Sequence, residues 1–144
     1  MANTYQYTRP VHYYETDKMG MVHHSNYIRW LEEARSFYFN DAGLAYTVTE
    51  KLGIMSPVTD ISITYKHPVS YGESFTVRLK ITKYTGTRFR VAYTVENENG
   101  VVLCEAETGH AFIGKDLRPV SMKRAAPERH ELILRFMEKE TQAD

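Results

Sequence analysis

The segment Tyr13-Tyr14-Glu15-Thr16-Asp17-Lys18-Met19-Gly20-Met21-Val22-His23-His24-Ser25-Asn26-Tyr27 gathers the side chains of this sequence best suited to chemistry. Asp17 is an acid in a loop just ahead of a long helical pattern, and the backbone N–H groups of a helix's opening turn have no partner within the helix. Such amides, with the helix dipole behind them, hold an anion or polarise a carbonyl oxygen. Gly20 has no side chain, so a substrate could approach the backbone closely there. A carboxylate beside an oxyanion site is what carbonyl hydrolysis requires. One group attacks or activates water, and the other holds the developing charge. Spacing alone leaves a plainer reading open, because Asp before a helix is also a common cap or turn residue.

The pair His23-His24 raises the question of a metal site. Adjacent helical positions point about 100° apart, no His lies four residues from either, and His12, His67, His110 and His130 are scattered. No metal site is expected. Cys104 is the only cysteine, which excludes an internal disulfide and a cysteine-based zinc cage; in a strand pattern it reads as a small core residue.

The elements that must position this segment follow from hydrophobic period. Tyr5 to Tyr14 reads as a strand, with Pro10 marking an edge or bulge, and Glu15 to Gly20 as a loop. Ser25 or Asn26 is the expected helix cap. Tyr27, Trp30, Leu31, Ala34, Phe37 and Tyr38 then recur with helical spacing and predict one buried face, with Arg29, Glu32, Glu33, Arg35 and Asn40 opposite and Gly43 as the stop. A short helix is expected over Tyr46 to Leu52. Period two takes over in Ile61–Tyr65, Phe75–Ile81, Phe89–Val95 and Val101–Ile113, and Asn97-Glu98-Asn99-Gly100 forms a hairpin turn. Pro127 opens a terminal helix with Ile133, Leu134, Phe136 and Met137 on its face.

This order, β, long α, four strands and a small helix, predicts an α+β fold in which a long antiparallel sheet wraps one central helix. Its sheet edges or faces would seek a partner, so dimerisation is expected. A chain of 144 residues fits one domain, taken as residues 1–144. Its 18 basic and 18 acidic residues balance, which gives no global footprint for nucleic acid. Met1 to Arg9 lacks the apolar core of a signal peptide, and no stretch approaches the roughly 18 apolar residues of a membrane span. A cytoplasmic protein is expected.

The Asp17 segment resembles the signature of the hotdog-fold acyl-CoA thioesterases of the 4-hydroxybenzoyl-CoA thioesterase and YbgC group. The matching positions are Asp17, Gly20, Val22, His24, Asn26, Tyr27 and Glu33-Ala34-Arg35, and the likeness continues to Arg118-Pro119. The resemblance implies a five-stranded, largely antiparallel sheet around the helix. It also implies an enzyme that hydrolyses an acyl- or aroyl-CoA to free acid and thiol. On that basis Asp17 is the nucleophile or the general base, and the His24 backbone N–H is the oxyanion donor. The His24 side chain orients the thioester or protonates the leaving thiolate, with Gly20 beside them. Two departures are present. His23 replaces an aromatic residue and bears on the acyl pocket, and Glu15 replaces an Asp, a change expected to matter little.

Coenzyme A, part of the substrate rather than a cofactor, brings phosphates that call for local cations. Arg88 and Arg90 share one strand face beside the Tyr84–Thr87 turn, with Lys83, Lys123 and Arg124 as further candidates. The plainer reading, edge cations that deter aggregation, stands beside this one. Ser56 to Asp60, including Thr59 and Asp60, resembles the strand edge that lines the pantetheine channel, usually completed by a second subunit. Tyr27 and His23 would shape the acyl pocket. A homodimer or homotetramer is implied, and acyl carrier protein stays open as an alternative thiol carrier. Two other functions fit the same fold: a dehydratase of 3-hydroxyacyl thioesters and a non-catalytic acyl-CoA-binding module. Enoyl absorbance would identify the first, and binding without thiol release the second.

Overall fold

The computed structural model describes residues 5–142. Strand β1 (Tyr5–Pro10) leads to the main helix α1 (Ser25–Asp41) and a short α2 (Tyr46–Lys51). Four strands follow: β2 (Val58–Tyr65), β3 (Ser74–Tyr84), β4 (Arg88–Asn97) and β5 (Val102–Ala111). A one-turn α3 (Met122–Ala125) and the C-terminal α4 (Pro127–Gln142) complete the described chain. The strands form one antiparallel sheet in the order β1-β3-β4-β5-β2. The expected α+β arrangement of one long helix on a five-stranded antiparallel sheet is therefore present.

Alternation in β3 and β4 sends Phe75, Val77, Leu79, Ile81, Phe89, Val91, Tyr93 and Val95 to the face that receives α1, and all are buried. From the helix, Trp30, Leu31, Ala34 and Tyr38 meet them. The Trp30 ring lies flat on Phe75, centroids 3.7 Å apart. Truncating such an indole to Ala removes about 3–5 kcal/mol.

Two details of α1 depart from the expected stripe. Phe37 is 50% exposed and Phe39 is buried instead, while Arg35, assigned to the polar side, is also buried. The cause is that α1 has neighbours on more than one side. Phe39 is caught between Tyr46 of α2 and Phe89 of β4. Phe37 stacks on Tyr7 of the edge strand β1. The first strand ends at Pro10 rather than Tyr14, and a 3-10 turn over Tyr13–Glu15 follows.

Strand β2 pairs with β5 on one side and borders no other strand among the described residues. Val58, Ile61 and Tyr65 stand exposed along it. No helix among the described residues is long and apolar enough to cross a membrane.

Candidate active site

Asp17 sits in a small hairpin. Thr16 pairs with Val22, the Asp17 N–H donates to Met21 O at 2.8 Å, and the Gly20 N–H donates to Asp17 O at 3.0 Å. Gly20 closes the turn at φ 77°, a left-handed conformation that favours glycine. Nothing lies within 4 Å of where its Cβ would be. Val69 and Tyr71 anchor the returning arm, Val69 O accepting from the Val22 N–H and the Tyr71 N–H donating to Gly20 O. The exposed Asp17 side chain uses only one oxygen in this turn: Oδ1 accepts from Met19 N–H at 2.8 Å and Met21 N–H at 3.3 Å. Oδ2 has no donor among the described residues. The turn therefore occupies one oxygen of this carboxylate and leaves the other unused.

The hairpin delivers the chain directly into α1. His24, not Ser25 or Asn26, is the residue before the first helical position, and its ring makes no capping bond. His23 takes that part, its Nδ1 accepting from the Ser25 N–H at 3.2 Å and lying 2.8 Å from Ser25 Oγ. The N–H of His23 donates to Glu15 O, that of Asn26 to His23 O and that of Tyr27 to His24 O. The His24 N–H donates to no acceptor among the described residues. It is an amide at the positive end of a 17-residue helix, free to meet a ligand.

The exposed His24 ring lies against His23, centroids 4.3 Å apart, and Tyr65 approaches it edge-on. The Tyr65 hydroxyl donates to His24 O at 3.2 Å, which fixes the end of β2 to the helix start. Tyr27 is buried between Trp30 and Tyr65. Burial pushes its hydroxyl up to about 12, so it stays neutral.

Glu15 proves far more than a minor departure. It is buried beneath the hairpin, and both its oxygens accept from Arg9, at 3.0 and 2.7 Å. Trp30 Nε1 donates to it at 2.7 Å and the His12 N–H at 2.8 Å. Burial works to raise its pKa, but these donors hold it down at about 2. Arg9 reaches on to Glu33. This cluster, with Asn26 Nδ2 donating to Glu15 O, ties β1, the hairpin and α1 together behind Asp17.

A second group lies at the other end of β2. Thr59, Lys83, Arg88 and Arg90 line a shallow cleft with Gly109 and His110. Arg90 is not a free cation: it pairs with both oxygens of Asp60 and with Glu107. Thr59 donates to Asp60 Oδ1. Arg88 is exposed, and its guanidinium has no hydrogen-bond partner among the described residues. Within one protomer this cleft and the Asp17 hairpin are separated by the length of β2, about 17 Å from Asp60 to Tyr65 at strand rise.

Residues 11–136 match the sequence profile of the thioesterase-like superfamily. A Bacillus subtilis (strain 168) protein, provisionally named acyl-CoA thioesterase YneP, is 38% identical over 121 residues, 83% of this chain and 88% of that one. A 1,4-dihydroxy-2-naphthoyl-CoA hydrolase of Thermosynechococcus vestitus is 29% identical over 105 residues, 72% of each chain. The crystal structure of a DHNA-CoA thioesterase from Staphylococcus aureus superposes with a TM-score of 0.88 at 33% identity, covering 96% of this chain and 94% of that one.

Proposed function

The chain belongs to the thioesterase-like superfamily and is a hotdog-fold thioester hydrolase, and from that footing we propose that it cleaves an acyl- or aroyl-CoA with Asp17 as the reacting carboxylate. The observation that carries this reading is the pairing of two unused groups on adjoining segments: Asp17 Oδ2 and the His24 N–H. One supplies an electron pair. The other is a donor where the carbonyl oxygen would become an oxyanion.

In the covalent route Oδ2 attacks the thioester carbon and the His24 N–H holds the tetrahedral oxyanion. Collapse then expels the CoA thiolate, which His24 can protonate, and water cleaves the resulting acyl–Asp17 anhydride. In the alternative route the same oxygen takes a proton from water as water attacks. Free acid and thiol result from both. Acyl carrier protein presents the same pantetheine thiol, and the reaction on it is identical.

The active site is shared between two protomers. Docking two β2 edges antiparallel about Ile61 and Ser62 brings the Tyr65–His24 end of one protomer to the Val58–Asp60 end of the other. Arg88, with Lys83 behind it, then stands where the CoA phosphates need a cation. Tyr27 and Tyr65 wall the reacting end.

The test is Asp17→Asn, assayed across a panel of CoA thioesters by thiol release. Asn retains an acceptor for the Met19 and Met21 amides, so the unfolding free energy stays within about 0.5 kcal/mol of the parent. Turnover falls by about a thousandfold or more. Undiminished thiol release removes Asp17 from the reaction. Hydroxylamine trapping of an acyl-enzyme by the parent protein separates the two routes.

A further inference from the structure

Arg35 is a buried cation without an anion. It is 7% exposed on α1, and its partners are two neutral hydroxyls: Nε donates to Tyr46 Oη and Nη1 to Tyr93 Oη, each at 2.9 Å. Nη2 has no acceptor among the described residues, and no carboxylate among them pairs with this guanidinium. The contrast with Arg9, Arg78 and Arg90 is plain, since each of those is paired with at least one carboxylate. A guanidinium cannot shed its proton to relieve the cost of burial. A chain of hydroxyls holds the arrangement. The Tyr93 oxygen that accepts from Arg35 also lies 2.6 Å from Thr108 Oγ1. Thr108 in turn reaches His110 Nε2 at 2.8 Å.

Arg35 lines a groove of about 510 Å³ whose walls include Ser36, Tyr46, Thr49, Ser56 and Val58. Glu32 and Glu50 also border it, but both are exposed and neither pairs with Arg35. The groove reaches the β2 edge at Val58, where the shared-site reading above delivers the partner's thioester end. Resting on that reading, we propose that this groove is the acyl chamber and that Arg35 binds a negatively charged oxygen at the far end of the acyl group. A terminal carboxylate and an ionised phenol are the two sources of such an oxygen. Both match the donors that Arg35 leaves open.

The experiment compares matched CoA thioesters by thiol release: adipoyl-CoA against its terminal amide, and 4-hydroxybenzoyl-CoA against 4-methylbenzoyl-CoA. The parent enzyme favours the charged or ionisable member of at least one pair by about tenfold or more in kcat/KM. The pair that shows it identifies carboxylate or phenol. Arg35→Gln brings that ratio to near one, whatever its overall rate, and Arg35→Lys keeps most of it. Ratios below about tenfold in both pairs overturn the inference, as does a preference that survives Arg35→Gln. Should Arg35→Gln not fold, the parent ratios and Arg35→Lys decide. If other thioesters of the panel are cleaved but none of these four, the inference alone is overturned, and if no thioester of the panel is cleaved, the hydrolase reading itself has failed. If all are cleaved without preference, only the role of Arg35 has.

Discussion

Asp17 and Glu15, two residues apart, divide one task. Asp17 stays exposed with an oxygen to spare, and Glu15 is buried with every oxygen engaged. Glu15→Gln removes one of the two carboxylates that Arg9 bridges and leaves the Trp30 and His12 donors on a neutral amide, at an expected cost of about 1–3 kcal/mol. Urea unfolding should show a loss of that size, and turnover per folded molecule should fall too, because the hairpin loses its support. His110 adds a pH dependence. Burial and nearby Arg35 push its pKa down from 6.5 to about 4, so the native protein keeps the ring neutral while the unfolded chain takes up a proton. Its contribution is complete above pH 6.5 and is lost as pH falls towards 4, by up to about 1.4 kcal/mol per pH unit. Glu15, depressed from 4.5 to about 2, adds a further loss below pH 4.5. Unfolding free energies at closely spaced pH values should therefore be flat between pH 7 and about 8 and decline below 6.5. His110→Gln should flatten the decline between 6.5 and 4.5. The placement of Asp17, Gly20 and His24 in a loop directly ahead of α1 was legible in the sequence, because the helical period begins just after them. The role of Glu15 was not, because burial under the hairpin depends on the 3-10 turn that ends β1 early, and no spacing rule announces that turn.

Among the elements, those with one flat partner followed their periodicity and those with several partners did not. Strands β3 and β4 alternate as read, since one face meets α1 and the other meets solvent. Helix α1 meets the sheet, α2 and the flank of β1, which rotates Phe39 and Arg35 inward and leaves Phe37 at the margin. The single buried stripe assumed for an amphipathic helix has no room for that third neighbour. Strand β5 holds a feature equally hidden from sequence: Gly109 lies under the Asp60–Arg90 pair. A Cβ there would stand 2.2 Å from Asp60 Oδ1 and 2.5 Å from Arg90 Nη1. Gly109→Ala must push that pair off the sheet, at an expected cost of about 1–3 kcal/mol for overpacking. If the clash is the cause, Asp60→Ala should absorb part of it. The double variant should then be less destabilised than the sum of the singles by at least about 0.5 kcal/mol, measured as a double-mutant cycle. Strict additivity would mean that Gly109 matters for some other reason. The same pairing occupies Arg90, so Arg88 is the cation on which the proposed phosphate contact rests.

At the scale of the whole molecule, the two halves of the candidate site lie at opposite ends of β2 in one protomer, and the proposed β2–β2 pairing is what would bring them together. A strand edge bearing exposed Val58, Ile61 and Tyr65 is the kind that proteins cover by association. A two-fold axis there would make both halves meet twice, once on each side of the axis. The arrangement has a consequence that a site within one protomer cannot mimic. Asp17→Asn removes the carboxylate from every protomer, and Ser36→Trp fills the groove wall of every protomer, so each variant alone is inactive. Co-refolding the two in equal amounts gives mixed dimers with one site built from an intact Asp17 and an intact groove on different chains. Thiol release should return to about a quarter of the parent value, since half of the dimers are mixed and each carries one working site of two. If Asp17 and the groove of the same chain acted together, the mixture would stay inactive. Ile61→Lys, placed in the middle of the edge, should yield monomers by sedimentation and abolish that recovery. Activity in those monomers would break the link between edge pairing and catalysis, and the Asp17 hairpin would then have to bind the whole acyl group unaided.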